Sequence, residues 1–374
     1  MIINLHHAQL WDTFSWAKVR DNVRAGLGAA LYPVGHIFTV YDSSEGRDTA
    51  WRVVGHDHHA AADDSLTHTM TLERVLLYSY AGGNGKGIQF DEREALYYAE
   101  SGLSPGVYHF TVADQSWYKA DNGKTFQFTL TDAVPAGGQL VLNRVYNATL
   151  EGKIIVSYAN SASVLSIESA VLTEGTGGTD LGTADGRSPG VNHMQRAVFG
   201  SNNYAQSAVR QFLNRSVAAG EVWTPTNKFD RPPQSSVSSG FMQGLPDEFL
   251  AVVQAAVIPC RSTSIFEVDG FEKAAFSTNQ VYTLEDKFFL LSRPEIFGNW
   301  DSADYKDGTR LEWYNGTTAE QRIRHDANGN IRSAWTRSPN PVNTAAVRTV
   351  ASDGAISGTG ASGGCCICPA CIIA

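Results

Sequence analysis

The chain has 374 residues and a mass of 40.5 kDa, which at about 150 residues per domain allows two or three domains. Its 29 Lys and Arg stand against 38 Asp and Glu, a net charge of −9 with no basic run, which excludes an extended phosphate-binding surface and so a nucleic-acid partner. No apolar run approaches the roughly 18 residues of a bilayer span, so no membrane partner is expected; a 43% hydrophobic share with 17 Phe, 14 Tyr and 8 Trp excludes global disorder.

The first fifteen residues contain His6, His7 and Asp12 and lack the pattern of a secretory signal, so a protein made in a cytoplasm is expected. Trp16, Val19, Val23 and Leu27 recur at spacings of three and four and predict an amphipathic helix within residues 1–35, closed by Gly26, Gly28 and Pro33. Ile37 to Tyr41 and Trp51 to Val54 are β-rich runs around a polar turn, a hairpin signature. A polar loop follows from Gly55 to His68, and Asp91 with Glu94 reads as a capping box that predicts a short helix. Residues 105–175 alternate strands (107–112, 125–130, 139–142 and 153–156) with Gly-rich turns, the spacing of a small all-β module. Glu174 to Gly190 has no periodicity and reads as a linker.

Helical spacing returns twice, in Tyr204, Ala208, Val209, Phe212 and Leu213, and in Phe249, Leu250, Val253 and Val257 after Pro246. Short strands are expected at 287–292, 311–314, 321–324 and 331–337, with a turn at Asn328-Gly329, and a last strand over 365–373.

Three groups of residues invite a chemical reading. His56, Asp57, His58, His59, Asp63, Asp64 and His68 are metal-ligand types, but no helical ligand spacing joins them, so a hydrogen-bonded loop without metal is expected. Cys365, Cys366, Cys368 and Cys371 split between the two faces of a strand and, with the remote Cys260, argue against both a zinc site and a disulfide framework; buried fillers are expected. Nucleophile elbows, phosphate loops and dinucleotide fingerprints are absent, so no catalysis and no cofactor are expected. The third group is compositional. Asn340, Asn343, Thr344, Ser357, Thr359 and Ser362 form a Gly-rich, nearly uncharged segment near Trp300, Trp313, Tyr314 and Trp335, the mixture used by adaptable recognition surfaces.

A resemblance extends this reading. Trp335-Thr336-Arg337-Ser338-Pro339, Val347-Arg348-Thr349-Val350, Asp353-Gly354, Ala361 and Pro369 to Ile373 resemble the C-terminal signature of a C-type-lectin-like family of phages and prophages, related to the formylglycine-generating-enzyme fold. Trp51 to Asp57, His68 to Glu73, Phe90-Asp91 with Glu94 to Leu96, Gly106 to Phe110, Ala208 to Asn214, Trp223 to Pro225 with Lys228 to Pro233, Asp286 to Ser292 and Glu295-Ile296 are similar to earlier segments of the same family. The approach to Pro369 reads Cys366-Ile367-Cys368, where the family commonly has Gly-Val-Arg.

The resemblance implies an α+β, C-type-lectin-like fold with paired N- and C-terminal strands. Residues 1–35 would be the N-terminal helix, 36–104 the first part of that domain, 105–180 an inserted β-rich module and 181–374 the main part. Several relatives of this type are variable proteins of diversity-generating retroelements, which implies a variable region at about 310–368. Trp335, Arg337, Pro339, Arg348, Gly354, Ala361 and Pro369 would be framework. Arg332, Ser333, Asn340, Asn343, Thr344, Ala346, Ser357 and Thr359 would contact the ligand, with Trp313, Tyr314 and Trp335 as aromatic anchors. The reactive cysteine pair of the enzymes has no counterpart, since Cys is absent between 260 and 365. The expected role is a virion-located receptor-binding or adhesin component, with a bacterial surface protein or glycan as ligand, other virion proteins as partners, and a homo-oligomer, a trimer, as the assembly. The alternative is a head or tail decoration protein without a diversified site.

Overall fold

Ser15 starts the first helix, its Oγ accepting from Lys18 N–H at 3.2 Å. In the computed structural model, the residues described are 14–78, 88–91, 94–99, 101–113, 123–134, 136, 138–143, 154–158, 165–167, 173–185, 194–196, 202–216, 218, 239–262, 280–298, 306–341, 346–361 and 363–374. Helix α1 (Trp16–Arg24) buries Trp16, Val19 and Val23 as the spacing predicts, and α2 (Gly28–Leu31) follows. Leu27 does not join that face; it lies beyond the end of α1 and is 48% exposed. The expected hairpin forms from β1 (Ile37–Asp42) and β2 (Arg47–His56), and β3 (Met70–Arg74) pairs antiparallel with β2. β1 alternates exposed and buried residues, whereas all five residues of β3 are buried. One face of β1 therefore meets solvent and β3 lies inside the sheet.

Strand β4 (Ile88–Gln89) is short. The expected helix at Asp91 is replaced by strand β5 (Glu94–Ala99), which pairs over its whole length with Gly138–Asn143. The capping-box pattern is a local signal, and six cross-strand partners outweigh it. After β5 come β6 (Gly106–Ala113), β7 (Thr125–Leu130), β8 (Gly138–Asn143), β9 (Ile154–Tyr158), β10 (Leu165–Ile167), β11 (Thr173–Glu174), β12 (Thr179–Asp185) and β13 (Met194–Arg196). They form two sheets, ordered β10-β9-β8-β5-β13 and β11-β7-β6-β12. The expected linker at 174–190 is thus overturned where it is described, since β12 runs parallel to β6; residues 186–190 lie outside the described residues. The strands of these sheets reach from Glu94 to Arg196, past the expected 105–180 at both ends. Tyr108, Phe110, Phe126, Phe128 and Leu130 are buried among them, and none of these joins the main core.

The chain then returns to that core. Ser207 caps α3 (Ala208–Leu213) after a 3-10 turn at Tyr204–Gln206, on the expected helical face. Phe249 to Val257 is not one helix. Helix α4 (Asp247–Leu250) ends after one turn, Val253 opens β14 (Val253–Gln254), and Val257 lies in β15 (Ala256–Ser262), paired with β16 (Gln280–Asp286). β17 (Phe288–Leu290) and α5 (Arg293–Phe297) follow. The expected strand at 311–314 is instead a 3-10 turn, Glu312–Tyr314, and residues near 321 form α6 (Ala319–Arg322), because Thr318 and Gln321 make a reciprocal capping box. β18 (Ala334–Pro339), β19 (Ala346–Val350) and β20 (Ile356–Gly360) form an antiparallel sheet, then β21 (Gly364–Cys365) pairs with β4 and β22 (Pro369–Ile373) ends the chain.

The main sheet has the order β1-β2-β3-β22-β14, with β17 also paired to β22. Ile372 lies opposite Thr71 and Ile373 opposite Met70, so the last strand sits beside β3 and supplies its second backbone partner after β2. The architecture is α+β, mostly strands with a few short helices. All five cysteines are free and buried, filling space as expected. Among the described residues no helix is long and apolar enough to cross a membrane.

Candidate functional site

The densest polar chemistry lies inside the protein. Ser292 caps α5, and in return its N–H donates to Glu295 Oε2 at 2.7 Å, so the helix start fixes the Glu295 carboxylate. Arg337, from β18, grips that carboxylate with both terminal nitrogens, Nη1 reaching Oε2 at 2.7 Å and Nη2 reaching Oε1. Its remaining N–H groups donate to the carbonyls of Pro259 at 3.0 Å, Leu290 at 2.8 Å and Asp307 at 2.8 Å. His59 Nε2–H donates to Glu295 Oε1 at 2.9 Å, while Nδ1 lies 3.0 Å from Thr71 Oγ1. Burial alone would raise the Glu295 carboxyl, but Arg337 and His59 outweigh it and hold it well below the ordinary carboxylate range. Asp307, which accepts from Ser338 Oγ, is raised instead, because burial exceeds the help it receives from Arg337 and Ser338.

His58, His59 and Glu295 place ligand-type atoms within 4.8 Å of one another, so this cluster is the natural place to test for a metal. The donor set is already committed. Glu295 accepts four hydrogen bonds, two on each oxygen, and both ring nitrogens of His59 are engaged. A cation bound there would also face the Arg337 guanidinium. The chemistry fits a structural ion pair better than a metal centre. The rest of the His/Asp loop is held by hydrogen bonds: His56 Nε2–H donates to Tyr32 O, Asp57 accepts from Thr69 N–H, and Asp63 accepts from Ser65.

Two of the three expected aromatic anchors belong to the interior. Tyr314 is 2% exposed and its Oη–H donates to Glu73 Oε2 at 2.6 Å, beside the Arg324–Glu73 ion pair. Trp335 is also 2% exposed, with Nε1–H donating to Ile88 O at 2.7 Å. Neither presents a ring to a ligand, so both are corrected to core residues. Trp313 is half-buried, with the Arg52 guanidinium 4.3 Å from its ring centroid. Trp300 lies outside the described residues.

The expected contact positions divide differently. Ser357 is exposed, and Arg332, Ser333, Asn340 and Thr359 are partly exposed. Asn343 and Thr344 lie outside the described residues. Ala346 is buried and contributes only its backbone, accepting from Asn340 N–H at 2.9 Å and Asn202 Nδ2 at 3.0 Å; it is corrected to a framework position. Ser357 and Thr359 stand on β20, opposite Thr349 and Val347. A Cβ on Gly358, between them, would lie 3.6 Å from Asn340 Nδ2 and 3.9 Å from an Arg348 nitrogen, so Asn340 borders the same strand. Ser333 O accepts from Cys366 N–H at 3.0 Å. Of the expected framework, Trp335, Arg337, Pro339, Gly354, Ala361 and Pro369 are buried, and Arg348 is partly so.

Residues 179–374, more than half the chain, match the family described as a domain of unknown function (DUF6273). The chain belongs to that family. The DUF6273 match takes in every expected contact position and the Arg337–Glu295 pair, but it omits β3, which the last strand of the match needs as its partner. No curated protein and no solved structure matches the chain.

Sequence reasoning missed His59, Glu295 and Arg337 as a unit. The pattern Ser292-x-x-Glu295 is visible as a capping box, but nothing in it marks Glu295 as the partner of an arginine 42 residues away.

Proposed function

We propose that this DUF6273 protein is a non-catalytic ligand-binding protein of a phage or prophage, a receptor-binding or adhesin component of the virion with a C-type-lectin-like domain diversified by a retroelement. The observation that carries the reading is the segregation along 332–369. Six of the seven residues expected to stay fixed are buried, Arg348 being partly exposed, while five of the expected contact residues (Arg332, Ser333, Asn340, Ser357 and Thr359) reach solvent around one small antiparallel sheet and Ala346 does not. Such a scaffold accepts new side chains at its surface without loss of core packing. Short polar groups on β20 and beside it supply adaptable hydrogen bonds, and the ligand would be a bacterial surface protein or glycan.

The test is capture of the purified chain on bacterial surface extracts, alongside a variant carrying Asn340→Ala, Ser357→Ala and Thr359→Ala. Retention of the native chain and its loss in the variant, with an unchanged circular dichroism spectrum, is the expected result. Equal retention of both would move the site elsewhere. No retention of either, together with evenly scattered differences between sibling genes, would favour the decoration-protein reading.

A further inference from the structure

The main sheet ends in β1 on one side and, along β22 on the other, in two short strands, β14 and the three-residue β17. β14 is two residues long and offers little backbone to a newcomer. β1 is six residues long and, among the described residues, pairs with β2 alone. Val53 N–H donates to His36 O at 2.9 Å, which sets the alternation along the pair. The peptide groups of Phe38, Val40 and Asp42 point to β2, and those of Ile37, Thr39 and Tyr41 point away from it. The side chains of these three residues face solvent as well, Ile37 at 44% and Tyr41 at 52% exposure. Phe14, 61% exposed, adds apolar area by packing on Phe38 of the same strand. Free edges are ordinarily guarded by Lys, Pro, a bulge or sheer shortness. Ile37–Asp42 has no Lys or Pro, and its pairing with β2 runs without a register shift.

We propose that β1 pairs with β1 of a second copy of this chain, antiparallel about a two-fold axis at Thr39. The strand is self-complementary in that register. Outward peptide groups fall on residues 37, 39 and 41, so Thr39 meets its own copy as a hydrogen-bonded pair, and Ile37 meets Tyr41 in both directions. An aromatic residue opposite a β-branched one, and Thr opposite Thr, are favourable cross-strand pairs. No charged side chain lies on the exposed face of β1, so no like charges oppose the approach. The contact joins two main sheets into one and is independent of the binding surface on β20. Antiparallel pairing of a strand with itself closes at two copies, unlike the three expected from the family resemblance.

Sedimentation velocity of the full chain at micromolar concentration is expected to give twice the 40.5 kDa chain mass. Thr39→Lys, which sets two ammonium groups face to face on the axis, is expected to abolish the dimer. Thr283→Lys, at an exposed position of β16, is expected to leave it intact. Thr39→Cys is expected to cross-link the two copies under mild oxidation, since a hydrogen-bonded pair sets Cα atoms about 5.5 Å apart, within disulfide reach. A native monomer, a trimer, or a dimer that survives Thr39→Lys would overturn the proposal. If Thr39→Lys fails to fold, the Thr39→Cys cross-link decides alone, and its absence counts against pairing at this edge.

Discussion

Arg337 and Glu295 meet as a two-pronged ion pair with side-chain exposures of 0% and 1%, where the strand that opens the C-terminal sheet crosses the start of α5. Removing water from both charges is costly, and the pair is tolerable because every N–H of the guanidinium and both carboxylate oxygens find partners. Glu295→Ala leaves the guanidinium buried without its counter-ion and is expected to cost about 3–5 kcal/mol. Arg337→Lys keeps the charge but cannot reproduce three carbonyl contacts and a forked grip, so a comparable loss is expected in urea denaturation. A loss below about 0.5 kcal/mol for Arg337→Lys would show that charge, not donor geometry, is what the site requires.

The same region gives the protein a pH dependence. Burial, aided by His59, lowers the ring of His58 from the ordinary 6.5 to about 4. Between those values the unfolded chain binds a proton that the folded chain does not, so stability falls as pH drops through that window. The depressed Glu295 extends the loss to lower pH, while Asp42 and Asp307, raised by burial, act in the opposite sense. Comparing the native chain with His58→Gln isolates the histidine. Melting temperatures measured from pH 7 to pH 4 are expected to fall less steeply in the variant, and parallel curves would remove His58 from the account.

Occupation of the hydrogen-bonding groups also bears on metal. Since Glu295 and His59 have no donor atom to spare, stoichiometric zinc or calcium is not expected in the purified protein, and a chelator is expected to leave the melting temperature unchanged. Elemental analysis returning one ion per chain, lost in His58→Ala, would instead make the three-residue cluster a metal centre.

How much of this was legible in the sequence depended on whether a signal was local. The α1 face, the first hairpin and the strands expected at 125–130 and 139–142 carry their own periodicity, and the structure has them there, the last extended by one residue at each end. Glu94–Ala99 was misleading because a capping-box pattern is local, whereas its strand partners lie some 40 residues on, at Gly138–Asn143. The reading of Trp335 and Tyr314 as anchors failed for another reason. All six residues of β18, Arg337 among them, are buried, so neither alternation nor charge separates inside from outside there. A Trp next to Ser, Thr and Gly looks alike whether those residues line a surface or lie beneath one.

That distinction sets an expected contrast in tolerance. Trp335→Ala removes a buried indole and the donor to Ile88 O, and is expected to cost about 3–5 kcal/mol. Ser357→Ala and Asn340→Ala, at the solvent-reaching positions, are expected to stay within about 0.5 kcal/mol. Thermal melts of the three variants check this directly, and a large loss from Ser357→Ala would contradict the assignment of β20 to the surface that is free to vary.

Gly354 ties the turn before β20 to α6, and it differs from Gly329 in one measurable respect. Both adopt the left-handed backbone, with φ of 75° and 79°. A Cβ on Gly329 meets nothing within 4 Å, while one on Gly354 would lie 1.8 Å from Ala319 O, at the first residue of α6. Arg322 Nε–H also donates to Gly354 O at 3.2 Å, so the turn and the helix cannot part without losing that contact. Gly329→Ala is therefore expected to cost only the conformational penalty, about 1–2 kcal/mol. Gly354→Ala carries the same penalty plus displacement of α6, and is expected to lower the melting temperature distinctly further. Equal shifts in the two variants would mean that α6 moves aside freely, and that Gly354 is fixed by its backbone angle rather than by the helix packed against it.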